Sequence, residues 1–105
     1  MKFIEWLDNI GINDKSLVGG KNASLGEMYR NLTSKGIRIP NGFAITTQAF
    51  KYFIIHNKLN DKIKNKIKDI EYDDIISLRR HGLEIRMMIQ NGSFPSDLDS
   101  EIVRA

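Results

Sequence analysis

The sequence predicts an α+β fold that is mainly helical with short strands. Helical spacing of apolar residues over 22–34, 57–67 and 73–92 argues for the helices, and the β-prone run Phe43-Ala44-Ile45-Thr46 after a Pro40-Asn41-Gly42 turn argues for a strand. The 105 residues, 41% hydrophobic and 28% charged, fit one small globular domain over 1–105 with no second domain. A chain of this size buries about two-thirds of its extended surface, enough for one core and too little for a deep two-lobed cleft.

Residues 2–7 alternate, with Phe3 and Glu5 on one side and Ile4 and Trp6 on the other, as a short strand or a helical turn would. Residues 11–20 hold Asn13, Asp14, Ser16 and two adjacent glycines and read as a loop. Over 22–34, Leu25, Met28, Tyr29 and Leu32 fall at i, i+3, i+4 and i+7, the strongest helical pattern in the chain. Gly36 sits where a left-handed residue ends such a helix. Residues 37–42 form an extended run into the turn, and Thr46 or Thr47 is placed to cap a helix carrying Ala49, Phe50 and Phe53.

A short amphipathic helix follows over 57–67 through Leu59, Ile63 and Ile67. Asp73 and Asp74 then open a longer one whose seam is Ile75, Leu78, Gly82, Ile85 and Ile89 and which Gly92 ends. A glycine on that seam predicts close approach of another backbone, since it costs about 1 kcal/mol relative to Ala. Pro95, Ser96 and Asp99 mark the start of a last helix with Leu98, Ile102 and Val103 on its apolar face. That helix reaches Ala105 after about two turns without a stop signal, as a cut segment would.

Composition removes several function classes. With no cysteine, thiol redox chemistry, disulfides and thiolate zinc sites are excluded. No run approaches the roughly 20 apolar residues of a membrane span, and Glu5 and Asp8 break a signal-peptide core, so the expectation is a cytoplasmic chain with no membrane partner. The net charge of +3 comes largely from lysines at 51, 58, 62, 64, 66 and 68. They alternate with Ile63 and Ile67 in helical register, the pattern of a solvated face rather than a nucleic-acid site.

The sharpest chemical feature is Gly19-Gly20-Lys21 just ahead of a helix. Amides freed of side chains, a helix dipole and an ammonium there converge on an anion such as a phosphate. The spacing is not that of a Walker A loop, because Lys15 stands where its first Gly belongs and Asn22 where Ser or Thr follows the lysine. On residue chemistry alone, a plain structural turn explains the run as well or better. His56, at a helix end, and His81, beside Arg79 and Arg80, read as solvated or capping histidines, and neither has a metal-ligand spacing around it. Asp73 and Asp74 read as helix-start charges, and Phe43, Phe50, Tyr52, Phe53, Met87 and Met88 as packing residues.

The run Val18-Gly-Gly-Lys-Asn-Ala-Ser-Leu-Gly-Glu-Met28, followed by Gly36-Ile-Arg-Ile-Pro-Asn-Gly-Phe-Ala-Ile-Thr-Thr-Gln-Ala-Phe50, closely resembles the start of the ATP-binding domain of the phosphoenolpyruvate synthase and pyruvate phosphate dikinase family. It is also similar to rifampin phosphotransferase. Ile70-Glu-Tyr-Asp-Asp-Ile75, Gly82-Leu-Glu-Ile-Arg86 and Phe94-Pro-Ser-Asp-Leu98 look specifically like the synthase (pyruvate, water dikinase) branch, so the likeness runs from about residue 3 to the end.

That resemblance implies the first, incomplete subdomain of an ATP-grasp-type fold. It implies that Gly19, Gly20 and Lys21 contact ATP phosphates, with Lys21 also serving catalysis. The implied reaction converts ATP, pyruvate and water into phosphoenolpyruvate, AMP and phosphate through a phosphohistidine on another domain. An arginine-serine-serine motif, the acidic magnesium ligands, the histidine domain and the pyruvate-binding barrel all lie outside this segment, and neither histidine here sits in a phosphohistidine-like motif. The expectation is therefore an N-terminal piece of such an enzyme, inactive alone. The alternatives are a non-catalytic remnant or binding module, or a piece of a sister phosphotransferase.

Overall fold

The structure is a computed structural model and describes residues 2–105. The described residues fall into two compact units, one of residues 2–51 and 96–105, the other Tyr52–Pro95.

In the first unit, β1 (Ile4–Trp6) pairs antiparallel with β2 (Phe43–Ile45) in the register Ile4↔Ile45, Glu5↔Ala44 and Trp6↔Phe43. The strand alternative for residues 2–7 is the one realised. Phe3, Glu5 and Ala44 are buried, while Trp6, Phe43 and Ile45 lie on the exposed face, where the Trp6 and Phe43 rings meet edge to face at 5.4 Å. Burial of the Glu5 carboxylate is offset by Lys2, whose Nζ lies 2.6 Å from Glu5 Oε1.

Two 3-10 turns, Leu7–Asn9 and Ile12–Asp14, lead into the short helix α1 (Lys15–Val18) and then α2 (Gly20–Thr33). The stretch 11–20 is thus more regular than the loop its composition predicts. Local bonds account for this: Gly11 N–H donates to Asp14 Oδ2 at 2.9 Å and Asp14 N–H to the Gly11 carbonyl at 3.0 Å.

The core of the unit gathers Ile10, Val18, Ala23 and Ala44, with Leu7 and Leu17 against it. Within α2 the deepest residues are Ala23 and Gly26; Met28, on the predicted stripe, is exposed. The stripe is displaced because Gly26 lets the helix settle directly on the Ile10 backbone. The far end of α2 follows expectation. Gly36 has φ +83°, its N–H donates to Thr33 C=O at 3.1 Å and Ile37 N–H donates to Leu32 C=O at 3.1 Å, a Schellman closure.

Helix α3 (Thr47–His56) starts in this unit, capped by Thr46, whose Oγ1 accepts from Ala49 N–H at 3.2 Å and donates to Lys2 C=O at 2.6 Å. Helix α6 (Ser96–Arg104), which belongs to the same unit, buries Leu98.

The second unit holds the end of α3, then α4 (Asn60–Lys68) and α5 (Ile75–Gln90). Asp74 caps α5 by accepting from Ile76 N–H at 3.0 Å, the helix-start role its position predicts. Asn57 joins the two ends of the unit: its Nδ2 donates to Ser93 C=O and Ser93 N–H donates to its Oδ1, each at 2.9 Å. The predicted seam of α5 is rotated in the structure. Ser77 and His81 are buried, whereas Ile75 and Leu78 are exposed. A Cβ on Gly82 would meet only the Arg86 guanidinium at 3.5 Å, so the close approach expected there is absent. The glycine hemmed in within this unit is Gly92, where a Cβ would stand 2.6 Å from Phe53 Cζ.

Candidate functional site

Two buried side chains clamp the Gly-Gly-Lys turn. Val18 precedes it and Ala23 follows it, both in one core cluster, so the four residues between them must bridge two fixed points. The chain does so with Gly19 at φ +84° and ψ 160°, a region open essentially to glycine. α1 closes on the Gly19 N–H, which donates to Lys15 C=O at 2.8 Å, and α2 begins at the next residue.

The first bond of the α2 ladder runs from Ala23 N–H to Gly19 C=O at 3.0 Å. The N–H groups of Gly20, Lys21 and Asn22 therefore precede the ladder and carry the positive end of a 14-residue helix. Gly20 and Lys21 are exposed, and a Cβ on either glycine would meet nothing within 4 Å. The turn is thus open on its outer side. Neither Lys2–Glu5 nor Lys66–Glu84 involves Lys21, whose ammonium is uncommitted among the described residues.

The turn is braced by side chains outside the glycines. Asn22 Nδ2 donates to Val18 C=O at 3.0 Å, and Thr47 Oγ1 donates to Ser16 C=O at 2.8 Å across 31 residues of sequence. Sequence reasoning finds Thr47 only as a helix cap; Thr46 takes that role, leaving the Thr47 hydroxyl for α1. A local pattern carries no signal for such a distant bond. A depression of about 440 Å³ lies farther along α2, lined by Ile12, Ser24, Glu27, Met28, Asn31 and Leu32, and involves none of the turn residues.

The histidines lie elsewhere. His56 is exposed in the last turn of α3, its ring 6.4 Å from that of Tyr52. His81, expected to be solvated or capping, is buried in the second unit, with Nδ1 2.8 Å from Ser77 C=O. In that unit Lys66 Nζ donates to Glu84 Oε2 at 2.5 Å, which holds the Glu84 carboxyl below its ordinary range; desolvation opposes this, and the charges of Lys66, His81 and Arg80 add to it. Among the described residues, no grouping of three or more His, Asp or Glu side chains is placed to hold a metal ion, and no helix is long and apolar enough to cross a membrane.

Residues 15–105, the span containing this turn, match the pyruvate phosphate dikinase, AMP/ATP-binding domain family. The chain belongs to that family. Its similarity to members of known name is high. It is 46% identical over 97 residues to a phosphoenolpyruvate synthase of Aquifex aeolicus, covering 92% of this chain and 11% of that protein. It is 44% identical over 103 residues to the phosphoenolpyruvate synthase of Neisseria meningitidis, covering 98% and 13%, and 40% identical over 100 residues to that of Escherichia coli, covering 95% and 13%. This AMP/ATP-binding domain chain therefore spans about an eighth of the length of the curated relatives it matches.

Proposed function

We propose that the chain is an N-terminal piece of a cytoplasmic phosphoenolpyruvate synthase and supplies the glycine-lysine contact to the phosphates of ATP. The observation that carries this is the start of α2: three amides ahead of the helix ladder and an uncommitted ammonium, in a member of an AMP/ATP-binding family. The names of the relatives favour the synthase over its sister phosphotransferases. The proposed subdomain is the opening part of an ATP-grasp-type fold.

In this reading each residue has a separate task. Gly20, lacking a side chain, admits the phosphate chain to the amides of Gly20, Lys21 and Asn22, whose N–H groups donate to its oxygens. Gly19 sets the chain reversal that turns those amides outward. Lys21 places a positive charge against the phosphoryl group in transfer, where negative charge spreads over the equatorial oxygens. Magnesium would supply further neutralisation when bound with ATP, and in this proposal its acidic ligands belong to other parts of the enzyme.

The acceptor histidine and the pyruvate site lie on other segments as well, so the piece does not catalyse alone. The overall reaction takes ATP, pyruvate and water to AMP, phosphoenolpyruvate and phosphate. His81 is buried, which shields its ring from a phosphoryl donor.

A chimera tests the proposal. This chain replaces the matching segment of the Escherichia coli relative, and phosphoenolpyruvate formation from ATP and pyruvate is followed. The chimera is expected to turn over, and Lys21→Ala in it is expected to lower kcat by about a hundredfold, the usual scale for a charge-stabilising group. A folded chimera in which Lys21→Ala turns over as fast as its parent contradicts the role.

A further inference from the structure

We infer that Thr47 is a positioning residue for the phosphate turn: its hydroxyl occupies the Ser16 carbonyl and thereby keeps the Gly20 N–H free for an anionic ligand. The inference rests on the reading of Gly19-Gly20-Lys21 as a phosphate site and adds to it a device that holds that site open.

Lys15 C=O accepts from Gly19 N–H at 2.8 Å, as an α-helix requires. The next bond of the same ladder would join Ser16 C=O to Gly20 N–H and carry α1 straight into α2. That bond is absent, since Gly19 at φ +84° turns the chain, and Ser16 C=O accepts instead from Thr47 Oγ1 at 2.8 Å. Val18 C=O is likewise taken by a side chain, Asn22 Nδ2, at 3.0 Å. Two of the four α1 carbonyls are thus satisfied by side chains, and the amides that would have used them are left at the head of α2.

Thr47 is able to do this because its neighbour does the local work. Thr46 is fully buried, receives the Ala49 N–H and donates to Lys2 C=O, so capping of α3 does not compete for the Thr47 hydroxyl. β2 ends at Ile45, two residues before Thr47, and is paired to β1, which fixes where the hydroxyl stands. The strand therefore acts on the turn through one hydrogen bond.

The test uses the ¹⁵N-labelled 105-residue chain as wild type, Thr47→Val, Thr47→Ala and Thr47→Ser. Solvent exchange of the Gly20 amide is measured without ligand, followed by titration with inorganic tripolyphosphate. Loss of the hydroxyl is expected to slow Gly20 exchange about fivefold, the ratio one net hydrogen bond supplies, because Ser16 C=O recaptures that amide. Tripolyphosphate binding weakens by a similar factor, and Thr47→Ser restores both values.

A merely structural role gives the opposite sign, since loosening speeds exchange. Gly20 exchange unchanged or faster in Thr47→Val and Thr47→Ala overturns the inference, as does unfolding of both variants. A wild-type chain whose Gly20, Lys21 and Asn22 amides ignore tripolyphosphate refutes the phosphate reading instead, while the exchange rates still decide the role of Thr47.

Discussion

Gly26 rests on the carbonyl of Ile10: a Cβ built on the glycine would stand 2.4 Å from Ile10 O and 2.6 Å from Ile10 Cγ1. The nearest atom is backbone, and Ile10 is fully buried, so neither side can yield without moving the core. This contact seats α2 and hence the turn at its head.

Gly26→Ala is therefore expected to destabilise the chain although alanine is the better helix former by about 1 kcal/mol. Overpacking of a close-packed contact sets the scale at about 1–3 kcal/mol net. Urea unfolding reads this as a lowered midpoint; a raised midpoint shows that the helix is not held against Ile10.

The two glycines of the turn separate in the same assay. Gly19→Ala places a side chain at φ +84°, ψ 160°, and the strain is expected to cost about 1–3 kcal/mol. Gly20→Ala lies in helical backbone with open space around its Cβ, so stability is expected to stay within about 0.5 kcal/mol of wild type. ATP binding is nevertheless expected to weaken in Gly20→Ala, because the methyl stands on the approach to the amides. Equal destabilisation by both substitutions contradicts the division of roles.

Glu84 provides a pH marker for the second unit. The hydrogen bond from Lys66 holds its carboxyl below the ordinary 4.5; desolvation opposes this, and the charges of Lys66, His81 and Arg80 add to the lowering. A carboxyl depressed on folding binds fewer protons in the folded state, so its contribution is fully present above the unfolded value and is lost as pH falls through the folded one. A ¹³C NMR titration of Glu84 is expected to show a midpoint below 4.5 that moves up in Lys66→Ala. A midpoint indifferent to Lys66 removes the pair from the account.

How far the sequence carries the fold can be judged element by element. The helix of residues 20–33, its closure at Gly36, the strand at 43–45 and the Asp74 cap follow from local patterns, because each is set by neighbours within a few positions. The pairing of β1 with β2 and the seats of Gly26 and Gly92 depend on residues far along the chain. Spacing put the close contact at Gly82, where the structure leaves room, and made His81 a solvated or capping residue, where the structure buries it with Ser77. In both cases the rotation of α5 is set by packing in its unit and not by the apolar spacing of its own residues. At the candidate site, Gly19, Gly20 and Lys21 stand out as a motif ahead of a helix; Thr47 does not, since its bond to Ser16 crosses 31 residues of sequence.

The central claim, that the head of α2 receives the phosphates of ATP, is tested most directly by titrating the ¹⁵N-labelled chain with ATP and comparing wild type with Lys21→Ala. Shifts are expected to concentrate at the Gly20, Lys21 and Asn22 amides, with affinity about tenfold weaker without the ammonium. Shifts that spare these amides, or a Lys21→Ala chain that binds ATP as tightly as wild type, would contradict the claim.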